Sequence, residues 1–297
     1  MALNNVTDWS TSRDSNIDIG GHLLVIGDMQ PLSHDERTRE LMKQIASWRN
    51  AVDGGHLYGL TLSNNASDAT NDIDIAAGTA RDSTNADWLV LAAAITKRLD
   101  AAWAVGTNQG GLDTGSIANT TYHVWLIKRT DTGVVDVLFS TSASAPTMPT
   151  NYTLKRRIGS IIRESAAIVV FKQNGDVFTR APATDRNSTS AAASALLALS
   201  VPAGINVQPL LEILLVANAS SNVEVNLGTA TTGSANIRAA QAISGTTTEV
   251  DVQLVPPQFL LTNTSRQIYY SAVATAGTFN FNTLRTFGWI DRRGVDA

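Results

Sequence analysis

The stretch AIVVFKQNGDVFTR, residues 167–180, decides the fold class of this chain. Two runs containing Val, Ile and Phe, residues that favour strands, flank the dipeptide Asn174-Gly175. Asn-Gly is the strongest short-range sign of a β-hairpin, because the tight turns that join antiparallel strands need positive φ angles. We therefore predict a hairpin here, with its turn at Asn174-Gly175.

The region upstream shows the same strand pattern. YHVWLIKRTDTGVVDVLFS, residues 122–140, carries a Thr-Asp-Thr-Gly turn between two apolar runs and predicts a second hairpin. DIDIA, residues 72–76, alternates strictly between polar and apolar side chains, as a half-buried strand does. RIGSIIR, residues 157–163, favours one more strand. Together these runs predict an antiparallel β domain over residues 56–184.

Two stretches inside this domain are less regular. DWLVLAAAITKRLDAAW, residues 87–103, begins as a strand, and its second half fits either a helical turn or a strand that ends in a loop. VGTNQGG, residues 105–111, predicts a loop, since Gly and Asn interrupt regular elements.

The remaining chain again reads as short strands separated by polar clusters. Residues 185–200 are rich in Ser and Ala and predict a linker, or a strand that leads into the last domain. Residues 201–297 contain alternating runs such as NVEVNL and DVQLV, which are typical of a β-sandwich or jelly-roll-like module. The predicted fold class is therefore mainly β, with a short N-terminal α-helical segment followed by two antiparallel β domains.

The N-terminal segment, residues 1–55, is too short to hold a core of its own. Ser33 is a candidate helix N-cap with Glu36 three residues later, which is the capping-box arrangement. Leu41, Ile45 and Trp48 follow at helical spacing and form one apolar seam, which Val52 would extend. The helix either packs on its own chain or joins a three-fold bundle, and the seam favours contact between subunits.

Composition excludes several classes of protein. The 297 residues include no cysteine, so disulfides and thiolate metal sites are ruled out. Charged residues make up 16% of the chain and the net charge is -4, which gives no basic footprint for nucleic acid. No secretory signal is recognisable, and no apolar run approaches the ~20 residues that a membrane helix needs. We expect no nucleic-acid partner, no membrane span and synthesis in the cytosol of the cell that makes the chain.

Several segments resemble the tail-fibre and baseplate proteins of tailed bacteriophages. In those proteins a W-S-T…N…P…R-x-L-M…W pattern marks the N-terminal attachment segment, and P-x-x-Y-x-x-K-R-R-I-G-x-I-x-R recurs in the β domains. The resemblance covers residues 6–180, although HLLVIGDM, residues 22–29, departs from the usual small and acidic stretch. The segments that carry it are TDWST (7–11), SNIDIGG (15–21), Pro31, RELMKQIASW (39–48) and APTMPTNYTLKRRIGSIIR (145–163).

This resemblance implies a structural component of the virion tail. The chain would form a homotrimer, dock on other tail or baseplate proteins through residues 1–55, and expose its C-terminal β domain to a host surface glycan or protein. A head or neck fibre or decoration protein is the alternative within the same class. A host-binding lectin-like module with no viral role is a further alternative, which the N-terminal segment disfavours. The candidate docking or inter-subunit residues are Trp9, Pro31, Leu41, Ile45 and Trp48.

The sequence gives little sign of catalysis, and we expect neither an enzyme nor a cofactor. Nucleophile-elbow, phosphate-loop and zinc-protease motifs are absent, and the four histidines show no ligand spacing. Asp68, Asp72 and Asp74 form the densest acidic cluster, which is better explained as a solvated strand face than as a calcium site. The enzyme alternative is a glycan depolymerase, which needs two paired carboxylates. Glu164, Glu212, Glu224 and Glu249 are scattered over predicted strands, and no pairing between them is visible in the sequence.

Aromatic residues gather in the last predicted strands and could line a recognition surface. The candidates for surface recognition are Tyr269, Tyr270 and Trp289. Adjacent residues of a strand point to opposite faces, so one of the two tyrosines should face outward. For each of the three, a place in the core is the competing interpretation.

Overall fold

The computed structural model describes residues 18–19, 22–23, 34–52, 54–245, 249–255 and 260–293. Within these residues the protein is mainly β, as expected, with a single α-helix. The elements are β1 (Asp18–Ile19), β2 (His22–Leu23), α1 (His34–Val52), β3 (Leu57–Gly59), β4 (Leu62–Asn64), β5 (Asp72–Ile75), β6 (Gly78–Arg81), β7 (Trp88–Leu91), β8 (Ile95–Ala102), β9 (Gln109–Leu112), β10 (Thr121–Arg129), β11 (Val135–Ser140), β12 (Tyr152–Glu164), β13 (Ala167–Ile168), β14 (Phe171–Asn174), β15 (Val177–Ser188), β16 (Ala192–Ala198), β17 (Gln208–Ala217), β18 (Asn222–Gly228), β19 (Ile237–Ile243), β20 (Glu249–Val255), β21 (Gln267–Ala276) and β22 (Phe279–Ile290).

The strands form three larger sheets and two small ones among the described residues. The largest sheet has the order β13-β12-β10-β11-β9-β8-β5-β4, and β3-β6-β7 forms a small sheet of its own. The five-stranded sheet has the order β14-β15-β22-β17-β20, and the four-stranded sheet has the order β16-β21-β18-β19. Pairing is antiparallel except at β9, which runs parallel to both of its neighbours, β8 and β11.

Both predicted hairpins are present. β10 pairs with β11 around the Thr-Asp-Thr-Gly turn, with Lys128 opposite Val135. β14 pairs with β15, but Asn174 lies opposite Val177, so the two-residue turn is Gly175-Asp176 rather than Asn174-Gly175. Gly175 has a φ of 59°, and a glycine at the first turn position supplies the positive angle that the hairpin requires.

The irregular stretches of the first region are strands. Residues 88–91 and 95–102 form β7 and β8, so the helical alternative for this stretch is wrong. Residues 109–111, predicted as loop, begin β9. The reason is close packing: a Cβ on Gly110 would lie 2.0 Å from the carbonyl oxygen of Ala102, so glycine here permits strand contact instead of breaking it.

The expected linker, residues 185–200, is also largely strand. The boundary predicted at residue 184 falls inside β15, which continues to Ser188 and pairs with β22. Residues 192–198 form β16, which pairs with β21 at the edge of the four-stranded sheet. These residues therefore join the last β region, in agreement with the strand alternative for this stretch.

The two β regions share one hydrophobic core. The five-stranded and four-stranded sheets form a sandwich-like unit, in which alternate residues such as Ile213 and Val225 point into the same buried cluster. This cluster also contains Leu62 of the first region. Phe178 stacks on Trp289 with ring centroids 5.5 Å apart and planes 5° from parallel. We call the described residues from 54 to 293 the β body.

Candidate functional site

Helix α1 buries one narrow stripe within the chain. Arg39, Met42 and Ala46 are at most 1% exposed, and they lie on one face at spacings of three and four residues. This face is not the seam that the apolar pattern of the sequence indicated. Met42 and Ala46 are the apolar members that pack inside the single chain.

The predicted seam forms a second stripe on the same helix and remains open. Leu41 is 55% exposed and Trp48 is 68% exposed, while Ile45 is half-buried. At 3.6 residues per turn, the centre of this stripe lies about 120° around the helix from the buried one. The helix therefore presents a large indole and a leucine side chain to solvent in the isolated chain. Trp9 and Pro31, the other candidate docking residues, lie outside the described residues.

Two of the three aromatic candidates near the C-terminus are core residues. Trp289 is 1% exposed, and Tyr270 is 3% exposed with its hydroxyl donating to Asn282 Oδ1 at 2.8 Å. Burial raises the pKa of Tyr270 to about 12, against the opposing effect of Arg186. A ligand cannot reach either ring, so the proposed surface role of Tyr270 and Trp289 is wrong. Tyr269, next to Tyr270 on the same strand, is partly exposed, as the alternation of strand faces requires.

A buried polar network joins the two β regions. Arg157 donates two hydrogen bonds to the carboxylate of Asp291, at 2.5 and 2.7 Å, and a third to Ser160 Oγ at 3.2 Å. Ser160 Oγ lies 2.9 Å from Nδ1 of His123. Asp291 also accepts the backbone N–H of Arg293, whose guanidinium pairs with Asp176. The network ties β10 and β12 to the residues that follow the last strand.

This network holds the two β regions together and is closed to a substrate. Burial, and after it the positive charge of Arg157, lower the pKa of His123 to about 4. The imidazole is therefore neutral at pH 7. His123 is fully buried and Ser160 is 1% exposed, so a substrate has no access to this serine and histidine.

The carboxylates considered for glycan hydrolysis pair with arginines. Glu164 lies 3.0 Å from Arg180, and Glu224 lies 3.0 Å from Arg238. Glu212 lies 3.6 Å from Arg285, and the side chain of Glu249 is not described. A retaining or inverting hydrolase sets two carboxyl groups across one bond. Each described member of this set instead faces a cation.

The acidic cluster Asp68, Asp72 and Asp74 is partly buried, and it forms hydrogen bonds within the chain. Asp74 Oδ1 accepts hydrogen bonds from Asn65 Nδ2 at 2.8 Å and Thr96 Oγ1 at 2.6 Å. Burial, followed by the charges of Asp68 and Asp100, raises the pKa of Asp72. In the part of the chain that the structure describes, no group of three His, Cys, Asp or Glu residues is placed to hold a metal ion. The same part contains no helix with the length and hydropathy for crossing a bilayer.

An open groove of about 670 Å³ lies in the first β region. Three separate stretches form its walls, residues 102–105, residues 129–134 and residues 147–152, and Asp113 completes the lining. Trp103 and Tyr152 meet there edge to face, with ring centroids 5.2 Å apart. We call this surface the Trp103 groove.

A small core separate from the main one supports the Trp103 groove. Its buried members are Trp125, Ile127, Leu138 and Tyr152, and Trp103 and Met148 pack against them from the groove side. Trp103 Nε1 donates to the carbonyl of Val137 at 3.1 Å, which fixes the orientation of the indole. The aromatic wall is therefore rigid before any ligand arrives.

A buried ion pair holds the loop behind the indole. Lys97 Nζ lies 3.1 Å from Asp136, and both side chains are at most 1% exposed. Lys97 Nζ also donates to the carbonyl oxygens of Ala104 and Gly106, at 2.6 and 3.2 Å, and lies 5.4 Å from the ring centre of Trp103. Burial lowers the pKa of Lys97, and Asp136 opposes that effect.

The rim of the groove is polar, and its charges are paired. Arg129 donates two hydrogen bonds to the carboxylate of Asp131, at 2.9 and 2.6 Å. Asp113 Oδ2 accepts the backbone N–H of Thr147 at 2.8 Å. The sequence-based candidates include none of the residues of this groove. Pro149 and Tyr152 belong to the phage-like segment, but nothing in the pattern indicated that they would face Trp103.

Comparison with known proteins leaves the family of the chain open. No protein-family model and no curated protein matches the sequence. A structure of the Gx strain of infectious bursal disease virus aligns at 10% identity over 78% of this chain and 70% of that chain, with a TM-score of 0.18. The Gt strain structure aligns at 12% identity over 78% and 68%, with a TM-score of 0.15. TM-scores this low do not establish a shared fold, and these likenesses assign no function.

Proposed function

We propose that this protein is a structural component of a tailed-phage virion, a tail-fibre or baseplate protein that docks through its N-terminal segment. The observation that carries the proposal is the open stripe of α1, where Leu41 and Trp48 are 55% and 68% exposed. Burial of the remaining exposed part of each of these side chains by a partner would stabilise the assembly by on the order of 1–2 kcal/mol. The resemblance of residues 6–180 to tail-fibre and baseplate proteins supplies the class of partner.

The open stripe of α1 has the spacing that would pack against further copies of the same helix. Leu41, Ile45 and Trp48 follow the 4-3 spacing by which helices pack side by side in bundles. Three copies of α1 would place three such stripes around one axis and remove them from water. We therefore propose a homotrimer, whose trimeric N-terminal end attaches to other tail or baseplate proteins.

The β body suits the exposed end of such a particle. It carries a continuous core, buried ion pairs and no cysteine, so its stability does not depend on redox conditions. Extensive antiparallel pairing places its backbone groups in hydrogen bonds. In our proposal the β body stands outward from the attachment site and contacts the host surface, and the chain catalyses no reaction.

Three experiments test the proposal. Sedimentation of the full chain should give a mass close to three times 31.5 kDa, whereas a monomer at micromolar concentration would contradict the trimer. Deletion of residues 1–50 should leave a cooperatively melting protein that no longer joins particles. Antibody against the chain should label the tail in images of purified virions; labelling of the head or neck would assign it to that part of the particle instead.

A further inference from the structure

We propose that the Trp103 groove binds a neutral saccharide. This site lies in the first β region, away from residues 201–297, where the sequence had placed host recognition. The inference goes beyond the attachment role, because it depends on the geometry of the isolated chain and not on assembly into a particle.

The aromatic wall supplies the apolar half of such a site. Pyranose rings carry a face of C–H groups, and they stack on an indole ring whose position is already fixed. Trp103 is partly exposed and is held by its hydrogen bond to Val137, so it supplies that face, while Tyr152 is 6% exposed and packs in the small core beneath it. Burial, and after it the charge of Asp136, raise the pKa of Tyr152.

The rim supplies the polar half. The guanidinium of Arg129 donates hydrogen bonds, the carboxylate of Asp113 accepts them, and Thr147 and Thr150 can do both. Sugar hydroxyls also donate and accept, so a ring seated on the aromatic wall can satisfy groups of both kinds. The volume of about 670 Å³ lies within the range of small-molecule sites.

Charge pairing selects a neutral ligand over an ionic one. Arg129 already binds Asp131 through two hydrogen bonds, and Lys97 already binds Asp136. A ligand carboxylate or sulfate would have to compete with Asp131 for Arg129 and would approach Asp113. A neutral sugar meets no such cost.

A proline-rich peptide is the other ligand that aromatic grooves accept. Its prolines have no N–H, so such a peptide offers mainly carbonyl acceptors. The carboxylate of Asp113 would then face acceptors without gaining a donor. The rim of this groove therefore favours a polyhydroxyl ligand.

The test uses the purified full chain and defined probes. Immobilised neutral oligosaccharides (trimers of glucose, galactose, mannose and N-acetylglucosamine) are compared with sialyllactose and a decaproline peptide, and the Kd of each probe bound is measured by titration. We expect at least one neutral trimer to bind more tightly than both the acidic saccharide and decaproline. Absence of binding by every neutral probe, or tighter binding of either competitor, would overturn the proposal.

Two variants place the bound probe in the groove. Trp103→Ala should weaken binding at least tenfold, and Tyr58→Ala, which removes an exposed aromatic ring from another sheet, should leave the Kd unchanged. Because Trp103→Ala also disturbs the small core, Thr150→Trp provides a second variant that fills the groove from an exposed position. Thr189→Trp, at an exposed position in the last β region, is its control. If both groove variants bind like the unmodified protein, the groove is not the site.

Discussion

Helix α1 and the β body differ in one arrangement of side chains. The β body takes charged side chains into its interior and pairs them, as with Arg157 and Asp291, whereas α1 lines up exposed apolar side chains, Leu41 and Trp48, along one stripe. This difference indicates that the β body is stable within one chain, whereas α1 depends on a partner to bury its open stripe. Substitutions inside the β body should change the stability of one chain, and substitutions on the open stripe of α1 should change assembly while leaving that stability alone.

The largest effect should come from the buried ion pair. Asp291→Ala leaves the guanidinium of Arg157 unpaired in the interior, and breaking a buried pair by removing one partner costs about 3–5 kcal/mol. Chemical denaturation should show this loss as a lower midpoint. Asp131→Ala is the matched control, since Asp131 also receives two hydrogen bonds from an arginine but is half exposed, and its loss should be far smaller. Equal losses would mean that burial does not set the strength of the pair.

Acidification should weaken the β body through His123. The folded-state pKa of His123, about 4, lies below the usual value of 6.5, so between these values the unfolded chain binds the proton more readily. The contribution of neutral His123 to the free energy of unfolding is fully present above pH 6.5 and is lost as the pH falls toward 4. From pH 7 to pH 5 the loss should be about 2 kcal/mol.

Denaturation midpoints at the two pH values check this expectation. The measured quantity is the difference in pH dependence between the unmodified protein and His123→Gln, since other titrating groups are common to both. Between pH 7 and pH 5, His123→Gln should lose about 2 kcal/mol less of its free energy of unfolding than the unmodified protein. An identical pH dependence in the two proteins would show that His123 titrates normally in the folded state.

A smaller effect is expected at the partly exposed carboxylates of the last region. Glu212→Gln and Glu224→Gln each remove an ion pair with an arginine that is at least 37% exposed, so each should cost at most about 1 kcal/mol. Neither variant should alter host binding, and the unmodified protein should release no reducing ends from host polysaccharide. Release that one of these variants abolishes would favour a depolymerase.

The smallest effect on stability should come from the open stripe. Leu41→Glu changes a side chain that is 55% exposed, so the melting temperature of the β body should not move. The same variant places a carboxylate in the proposed helix contact and should shift the sedimenting mass from trimer toward monomer. Ser47→Glu, at an exposed position of α1 outside both stripes, should keep the trimer. A trimer that survives Leu41→Glu would show that the subunits meet elsewhere.

Local patterns predicted the local structure of this protein. The alternation of DIDIA and the two hairpin turns gave strands and pairings that the structure confirms, because they depend on neighbouring residues. Gly110 was misread as part of a loop because a glycine that breaks a strand and one that permits close packing look alike in sequence. The apolar seam of α1 was identified, but the stripe that the chain buries lies on another face.

Local sequence patterns could not predict the Trp103 groove. Arg129 and Tyr152 lie opposite each other in the antiparallel pair of β10 and β12. Residues 102–105 are linked to this side of the sheet through β9, which pairs in parallel with β8 and β11. Parallel strands are not joined by a short turn, so their pairing has no signature in the sequence. The pair of Arg157 and Asp291 is separated by 134 residues and has no local signal either.

The position of β22 sets when the protein can fold. β22 lies in the centre of the five-stranded sheet, between β15 and β17, so this sheet stays open until residues 279–290 have left the ribosome. Such long-range pairing is intrinsically slow to form. A prematurely terminated chain lacks the strand that joins the halves of this sheet and has no way to complete it. A chain that includes β22 can close this sheet, and a chain that stops before it cannot, so the topology itself separates the two.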